Sequence, residues 1–71
     1  MSTDICAHIT GTVWKIEVTP GQKVASGDVV LILESMKMEM PLEAPQAGTI
    51  REIKVKEGDP VQEGAVVMTL E

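Results

Sequence analysis

The sequence predicts an all-β fold, a flattened β-barrel or sandwich of two pseudo-two-fold-related, four-stranded antiparallel sheets. Three observations lead to this prediction. Short runs of Val, Ile and Leu alternate with polar residues at the period of two that is typical of strands. Glycine and proline separate these runs, and the second half of the chain repeats the first. The 71 residues are predicted to form a single domain, 1–71, with a small core.

The repeat aligns residues 7–34 with residues 44–71 without a gap, so that Gly11 matches Gly48 at an offset of 37 residues. Glycines, apolar positions and a closing glutamate keep this register throughout. Each half is too short to bury an apolar face alone, because an isolated hairpin or meander of this length is marginal in water. Two copies related by a rough two-fold axis can cover each other's apolar faces, which predicts the sandwich.

The first half begins with two predicted strands. We expect one strand at about residues 5–9 and another at about residues 12–18. In the second of these, the alternation of apolar and polar residues places Trp14, Ile16 and Val18 toward the core. The residues between them are then expected to face water.

The two halves share a turn that depends on glycine. Thr19–Gln22 is predicted to form a turn in which Gly21 has a positive φ, and Gly58 occupies the equivalent position in the second half. Val24 and Val61 each stand alone in the polar stretch that follows. We expect both valines to be buried and to tie these loops to the core.

A hairpin is predicted in the middle of the chain. Residues 29–33 are apolar on both faces, which indicates a central strand, and residues 38–42 return from it. Pro41 is tolerated in the returning strand if its position lacks a ladder partner. Met36-Lys37 then lies at or beside the tip, which we expect to project from the end of the molecule opposite both chain termini.

Lys37 is the reactive group of this hairpin. An exposed lysine amine is mostly protonated at neutral pH and is a poor nucleophile, so a separate enzyme must supply an activated acyl group and remove the proton. Met36 and Met38 are expected to be at least partly exposed and to form a contact surface for a partner or a cofactor ring. Met40 is expected to fill a gap in the core.

The stretch Glu34-Ser35-Met36-Lys37-Met38-Glu39-Met40 resembles the attachment motif of biotinyl domains, the biotin carboxyl carrier modules of biotin-dependent carboxylases and related enzymes. Two further stretches, Gly48-Thr49-Ile50 and Glu57-Gly58-Asp59-Pro60-Val61, are also similar to the family pattern, and the resemblance covers essentially the whole chain. It implies that Lys37 receives biotin through an amide bond. It also implies that Met36 and Met38 act in recognition and carboxyl transfer. The residues that would help a ligase or another partner recognise the tip are Glu34, Ser35 and Glu39.

The resemblance implies a carrier that is not an enzyme by itself. A biotin protein ligase would attach biotin, a biotin carboxylase site would load it with a carboxyl group, and a carboxyltransferase site would remove that group. One bacterial type of carrier has an extra loop that residues 18–29 lack. The chain therefore looks closer to carriers of acyl-CoA, pyruvate or urea carboxylases, decarboxylases and transcarboxylases, or to stand-alone biotinyl/lipoyl attachment proteins. In the family's long enzyme chains a mobile linker usually precedes the carrier module, and this sequence shows no such linker. We therefore expect either a free-standing carrier or a domain excised from a longer chain.

Two other functions are open. A lipoyl domain resembles this fold and also carries its group on a hairpin lysine, although such domains usually have Asp-Lys-Ala where this chain has Met36-Lys37-Met38. A small β interaction module without a prosthetic group belongs to a different class, and in it the hairpin would be an adhesive edge. Labelling by a biotin ligase distinguishes these alternatives from a biotin carrier.

Composition argues against nucleic acid and membrane partners. The net charge of −5 leaves no basic face for phosphate, and Trp14 is the only aromatic residue available for stacking on bases. No apolar run is long enough to span a membrane, and residues 1–4 lack the features of a signal peptide. We therefore expect a cytoplasmic protein.

Neither a metal site nor a catalytic site is expected. Cys6 is the single cysteine and His8 the single histidine, so no zinc-ligand spacing exists. We expect Cys6 to be a small buried residue in a reducing compartment and His8 to be a surface or satisfied strand residue. Glu34 and Glu39 flank a tip rather than a cleft that could shift their proton affinity for acid–base catalysis.

Overall fold

The computed structural model describes residues 2–71, which form eight strands and no helix. The strands are β1 (Thr3–Cys6), β2 (Gly11–Ile16), β3 (Lys23–Val24), β4 (Val29–Ser35), β5 (Met38–Glu43), β6 (Gly48–Ile53), β7 (Pro60–Val61) and β8 (Val66–Leu70). They build two antiparallel sheets with the orders β1-β8-β6-β3 and β5-β4-β2-β7. The predicted all-β architecture of two four-stranded sheets is confirmed. No helix capable of crossing a membrane occurs in residues 2–71.

Each sheet contains strands from both copies of the repeat. Strand β7 of the second copy pairs with β2 of the first, and β3 of the first copy pairs with β6 of the second. The Gly21 N–H donates a hydrogen bond to the Ile50 carbonyl oxygen (2.7 Å), and the Gly58 N–H donates to the Val13 carbonyl oxygen (2.7 Å). Both glycines have the predicted positive φ, 89° at Gly21 and 95° at Gly58. Each copy therefore completes the hydrogen bonding of the other.

The core lies between the two sheets and is built from aliphatic side chains and Met68. Val13 and its equivalent Ile50 are almost completely buried there. Val24 and Val61 are buried as well, which confirms the prediction that they tie the short strands β3 and β7 to the core. Because no aromatic side chain fills this space, close packing of branched residues carries the hydrophobic stabilisation.

Bulges shape both sheets and recur at equivalent positions of the repeat. The residues without a ladder partner at the four register shifts are Trp14, Val30, Arg51 and Val67. Trp14 corresponds to Arg51, and Val30 corresponds to Val67, at the offset of 37 residues found in the sequence. The two sheets are therefore bent in the same way.

The bulge in β2 overturns the expected orientation of Trp14. The side chain of Trp14 is 46% exposed rather than directed into the core. An extra residue between Val13 and Lys15 interrupts the alternation of side chains, so the buried position falls on Val13. Strand β2 also ends at Ile16, earlier than predicted, although Val18 is buried as expected.

The first strand also differs from its prediction. Strand β1 covers Thr3–Cys6 rather than residues 5–9, and His8 lies exposed in the bend that follows. Cys6 is exposed, so the expectation of a buried cysteine is wrong. The reason is the alternation along the strand, in which Ile5 takes the position that faces the core.

The long hairpin of the chain is formed by β4 and β5. Strand β4 lies between β5 and β2, as predicted for a strand that is apolar on both faces. Pro41 has a ladder partner, Ile32, contrary to the condition expected for it, and is accommodated because β5 is an edge strand. In the other sheet Thr3 pairs with Leu70, so the first and last strands lie side by side. The hairpin tip therefore belongs to the sheet that contains neither the first nor the last strand.

Two equivalent glycines provide a test of this packing. A β-carbon at Gly11 would lie 2.5 Å from the Glu34 carbonyl oxygen, and one at Gly48 would lie 2.8 Å from the Glu71 carbonyl oxygen. The approach is closer at Gly11, and the oxygen of Glu34 belongs to a strand paired on both sides. Glu71 lies beyond the end of β8, and among residues 2–71 its backbone is held through hydrogen bonds with Thr49 alone, so it has fewer restraints.

We expect Gly11→Ala to lower the free energy of unfolding by about 2 kcal/mol or more and Gly48→Ala to lower it by less. Urea denaturation of the two variants and the unmodified protein measures the difference. Equal losses at the two positions would show that the Glu34 backbone in β4 is no more firmly held than the backbone of Glu71.

Candidate functional site

The hairpin tip is a two-residue turn. Strands β4 and β5 pair as far as Ser35 opposite Met38, which leaves Met36 and Lys37 as the two central residues. Their φ angles are 53° and 65°, and a type I′ turn requires a positive φ at both positions. Met and Lys gain nothing from this left-handed conformation, which costs side-chain-bearing residues roughly 1 kcal/mol or more each. The pairing below the turn therefore holds a strained tip.

The side chains of the tip face solvent. Met36 is 92% exposed, Met38 is 62% exposed, and Lys37 is exposed between them. Lys37 forms no ion pair with any of residues 2–71. The predicted exposure of the two methionines is thus observed. The amine is free to react with a group that another protein brings to it.

The methionines of the hairpin differ in environment. Met38, Met40 and Leu42 alternate along one face of β5, and their exposure falls from the tip toward the core. Met40 is partly buried and lies opposite Leu33, a core residue. Met40 therefore lies at the edge of the core, whereas Met36 and Met38 present their thioethers to solvent.

Two carboxylates lie beneath the tip on the opposite face. Glu34 of β4 and Glu39 of β5 are directly opposite each other, and both are exposed. Like charges at such a cross-strand position are destabilising. Ser35 lies one residue nearer the tip and is partly covered. The three residues expected to contact partners are thus brought together next to Lys37.

The remaining polar candidates lie elsewhere. His8 follows β1 in the sheet that does not contain Lys37, and within residues 2–71 no hydrogen bond joins its side chain to Ser35. Within residues 2–71, no group of three acidic, histidine or cysteine side chains is arranged to hold a metal ion. No cavity was found in the same part of the chain. The tip is therefore an exposed turn rather than the wall of a pocket.

Gly11 is a residue of the site that the sequence reasoning did not identify. A β-carbon there would approach the Glu34 backbone and would lie 3.4 Å from the β-carbon of Ser35. Glycine at this position allows β2 to support the base of the tip closely. The signal in the sequence was the match of Gly11 with Gly48, since both stand at the start of a strand that contacts the end of another.

Comparison with known proteins identifies the family. The sequence profile described as "Biotin-requiring enzyme" matches residues 1–70. The chain belongs to this family. Its predicted membership is confirmed, and the carrier type of domain in this family does not itself perform catalysis.

Relatives of this biotin-requiring family member include short and long proteins. The "Biotin/lipoyl attachment protein" of Bacillus subtilis is 44% identical over 48 residues, which are 68% of this chain and 66% of that protein. The "Biotinylated protein TB7.3 homolog" of Mycobacterium leprae is 42% identical over 50 residues, 70% of each chain. Pyruvate carboxylase of Bacillus subtilis is 46% identical over 48 residues, which are 68% of this chain but only 4% of that protein.

Solved structures with the same fold belong to large carboxylases. The domain superimposes on the Kluyveromyces lactis urea carboxylase with a TM-score of 0.94 and 34% identity, covering 100% of this chain and 6% of that one. A single-chain, multi-domain long-chain acyl-CoA carboxylase gives a TM-score of 0.90 and 28% identity, covering 96% of this chain and 7% of the other. This family member is thus a biotin carboxyl carrier domain, homologous to small segments of much longer enzymes.

The strained turn generates a prediction about stability. Replacing Met36→Asn together with Lys37→Gly installs the residue pair that a type I′ turn favours. We expect the free energy of unfolding to rise by about 1–2 kcal/mol, because the positive φ angles no longer oppose side-chain preferences. Urea denaturation measures the change, and Met36→Ala, which keeps a side chain at positive φ, is the control. A double variant no more stable than the control would show that the tip is not strained.

Proposed function

We propose that Lys37 is the point at which biotin is covalently attached to this domain. The observation that carries the proposal is an exposed, unpaired lysine at the tip of a hairpin in a domain of the biotin-requiring family. The amine lies outside any cavity, so the group can swing between separate active sites while the domain stays folded. Membership of a family described as biotin-requiring, and a relative named as biotinylated, support biotin as the group.

Attachment requires a biotin protein ligase that presents biotinyl-adenylate. The ligase first takes one proton from the Lys37 ammonium group. The neutral nitrogen then attacks the activated carbonyl carbon, an N–C bond forms, and the bond from that carbon to the phosphate oxygen breaks. AMP leaves, and the surplus proton of the amine passes to the ligase or to solvent. Lys37 acts only as the nucleophile, because the described residues bring no general base to it.

In the proposed cycle the domain serves as a rigid mount. Bound biotin supplies a ureido nitrogen that takes up a carboxyl group at a biotin carboxylase site and releases it at a carboxyltransferase site. The four-carbon stem of Lys37 supplies reach, and the paired strands below it fix the position of the tip. The partners belong to a carboxylase, decarboxylase or transcarboxylase system, and the proposed compartment is the cytoplasm. The carboxyl acceptor is bound by another polypeptide segment.

The residues around Lys37 have distinct proposed roles. Met36 and Met38 offer flexible, polarizable thioethers that can contact the attached ring and the walls of a partner's active site. Glu34, Ser35 and Glu39 provide polar contacts by which the ligase and other partners orient the tip. None of these residues is assigned a catalytic role.

Lipoate is the second candidate for the attached group. One relative is named a biotin/lipoyl attachment protein, and both groups form an amide with a lysine. The Met-Lys-Met sequence of this chain favours biotin, since lipoyl domains usually carry the sequence Asp-Lys-Ala at these positions. A β interaction module without any group is the remaining alternative.

The first test is the intact mass of the protein after reaction with a biotin protein ligase, ATP and biotin. We expect one biotinyl increment on the wild-type protein and none on Lys37→Arg, which keeps the charge and the fold. A parallel reaction with a lipoate ligase tests the second candidate. Persistent biotinylation of Lys37→Arg would remove Lys37 as the site, and no increment from either ligase would leave the interaction module.

A second test separates recognition from folding. Because Met36 and Met38 are exposed, we expect Met36→Ala and Met38→Ala to leave urea denaturation almost unchanged. We expect kcat/KM for ligation or for carboxyl transfer to fall by roughly fivefold or more, which is the size of effect seen when an interface residue that contributes to binding is truncated. Unchanged kinetics in both steps would show that the two thioethers have no role in recognition or transfer.

A further inference from the structure

The exposed apolar side chains of this domain are concentrated on one sheet. Among residues 2–71, the large apolar side chains classed as exposed are Trp14, Val29, Met36 and Met38. All four belong to β2, β4, β5 or the tip between them, and none belongs to the sheet formed by β1, β8, β6 and β3. The exposure of Met36 and Met38 follows from their position in or next to the turn. Trp14 and Val29 lie outside the turn, so their exposure needs another explanation.

The outer face of the lysine-bearing sheet contains a row of apolar residues. Ile32 and Pro41 lie opposite each other across β4 and β5, and Trp14 is the bulge residue of β2 next to Lys15. Lys15 lies opposite Ile32 and is the one cation on this row, where its ammonium group pairs with the Glu17 carboxylate (3.4 Å). Ile32 lies between two buried neighbours along β4 and is only partly covered, so it faces outward. Trp14, Ile32 and Pro41 together are called the Trp14 face below.

The internal repeat shows that the fold does not require apolar residues here. At the offset of 37 residues, the equivalent pairs are Trp14 with Arg51, Ile32 with Thr69, and Pro41 with Asp4. The same bulge and the same strand pairing are therefore built with polar side chains in the other sheet. The backbone of this fold therefore does not require apolar residues at the Trp14 face, and exposed apolar residues grouped on one face are typical of a surface that a partner covers.

Acidic residues border the Trp14 face. Glu34 and Glu39 lie between it and the tip, and Glu43 lies at its other side opposite Val29. All three glutamates are exposed, and the protein carries a net charge of −5. The partner that fits this surface has an apolar centre and an edge of arginine or lysine side chains.

We propose that the Trp14 face is a docking surface for the biotin carboxylase component on which the carrier works. Ile32 lies three residues below Ser35, about 10 Å along the strand, so a protein that receives the tip is well placed to cover the face. A carboxylase that uses ATP and bicarbonate needs a cationic entrance for these anions, which complements the acidic border. The relatives include segments of carboxylases, so the partner class has support. The small apolar area suits a transient contact that must release after each cycle.

This inference rests on the proposed carrier function, and the experiment separates the two. The wild-type domain, Trp14→Arg and the matched control Arg51→Ala are biotinylated and their loading is measured by intact mass. A purified biotin carboxylase subunit is then assayed with each loaded domain and with free biotin. Arg is already accommodated at the equivalent bulge, so Trp14→Arg is expected to fold, and a urea denaturation curve checks this.

We expect the loaded wild-type domain to have a lower KM than free biotin. Trp14→Arg should raise that KM by about tenfold or more with kcat unchanged, and Arg51→Ala should behave as the wild type. Added NaCl should raise the wild-type KM because the border is acidic. A wild-type KM equal to that of free biotin, or an unchanged KM for loaded Trp14→Arg, would overturn the docking surface.

Two further readouts identify other failures. If Trp14→Arg slows biotinylation but leaves the carboxylase KM unchanged, the face serves the ligase and the inference is wrong. If the wild type takes up no biotin, the carrier function itself fails before docking is assayed. Trp14 is the only tryptophan, so 5-fluorotryptophan labelling gives a single 19F resonance. That resonance should shift when the carboxylase is added to the loaded wild type, and no shift at saturation would also overturn the inference.

Discussion

The structure depends on reciprocal hydrogen bonding between the two copies of the repeat. The turn at Gly21 in the first copy binds the strand at Ile50 in the second, and the turn at Gly58 binds the strand at Val13. These bonds bring β3 and β7 onto the opposite copy, and the valines of those short strands reach the core. Neither copy can satisfy its backbone groups or cover its apolar face alone. Residues 2–71 therefore share one aliphatic core, to which neither a disulfide nor an aromatic side chain contributes.

Because the repeat determines the scaffold, departures from the repeat mark residues that the shared backbone does not itself require. Strands β2 and β6 each contain one bulge residue without a ladder partner, at equivalent positions of the repeat. That residue is Trp14 in β2 and Arg51 in β6. A hydrogen bond shows another departure: the Ile16 N–H donates to the Glu57 side chain (3.1 Å), whereas the residue equivalent to Glu57 is Pro20, whose side chain has no acceptor. The replacement of a polar residue by Trp14 lies on the surface of the lysine-bearing sheet and does not affect the core. This asymmetry favours recognition by a partner as its cause.

The fold class, the glycine turns and the hairpin tip could be predicted from the sequence because each depends on a local signal or on the repeat. The orientation of Trp14 could not, since a bulge inserts one residue and alternation alone does not show where it lies. The exposure of Cys6 could not be predicted either, because cysteine is usually buried and only the register of β1 shows that Ile5 takes the inward position. The site residues came from the motif around Lys37. Its backbone conformation could not be predicted, because Met36 and Lys37 do not favour a type I′ turn and the pairing of β4 with β5 imposes it.

A strained tip on a rigid sheet is a consistent solution for a carrier. The positive φ angles of Met36 and Lys37 and the facing carboxylates of Glu34 and Glu39 all oppose folding at the one place where chemistry is proposed. A more favourable turn sequence would remove Lys37 or the thioether of Met36, the two central residues of the turn. The cost can be met only because β4 is held between two strands and Gly11 lets β2 approach its backbone closely. The stability of the core and the composition of the tip are therefore linked, because the pairing of β4 holds Met36 and Lys37 in a turn that neither residue favours. Their proposed roles in recognition and attachment depend on that support.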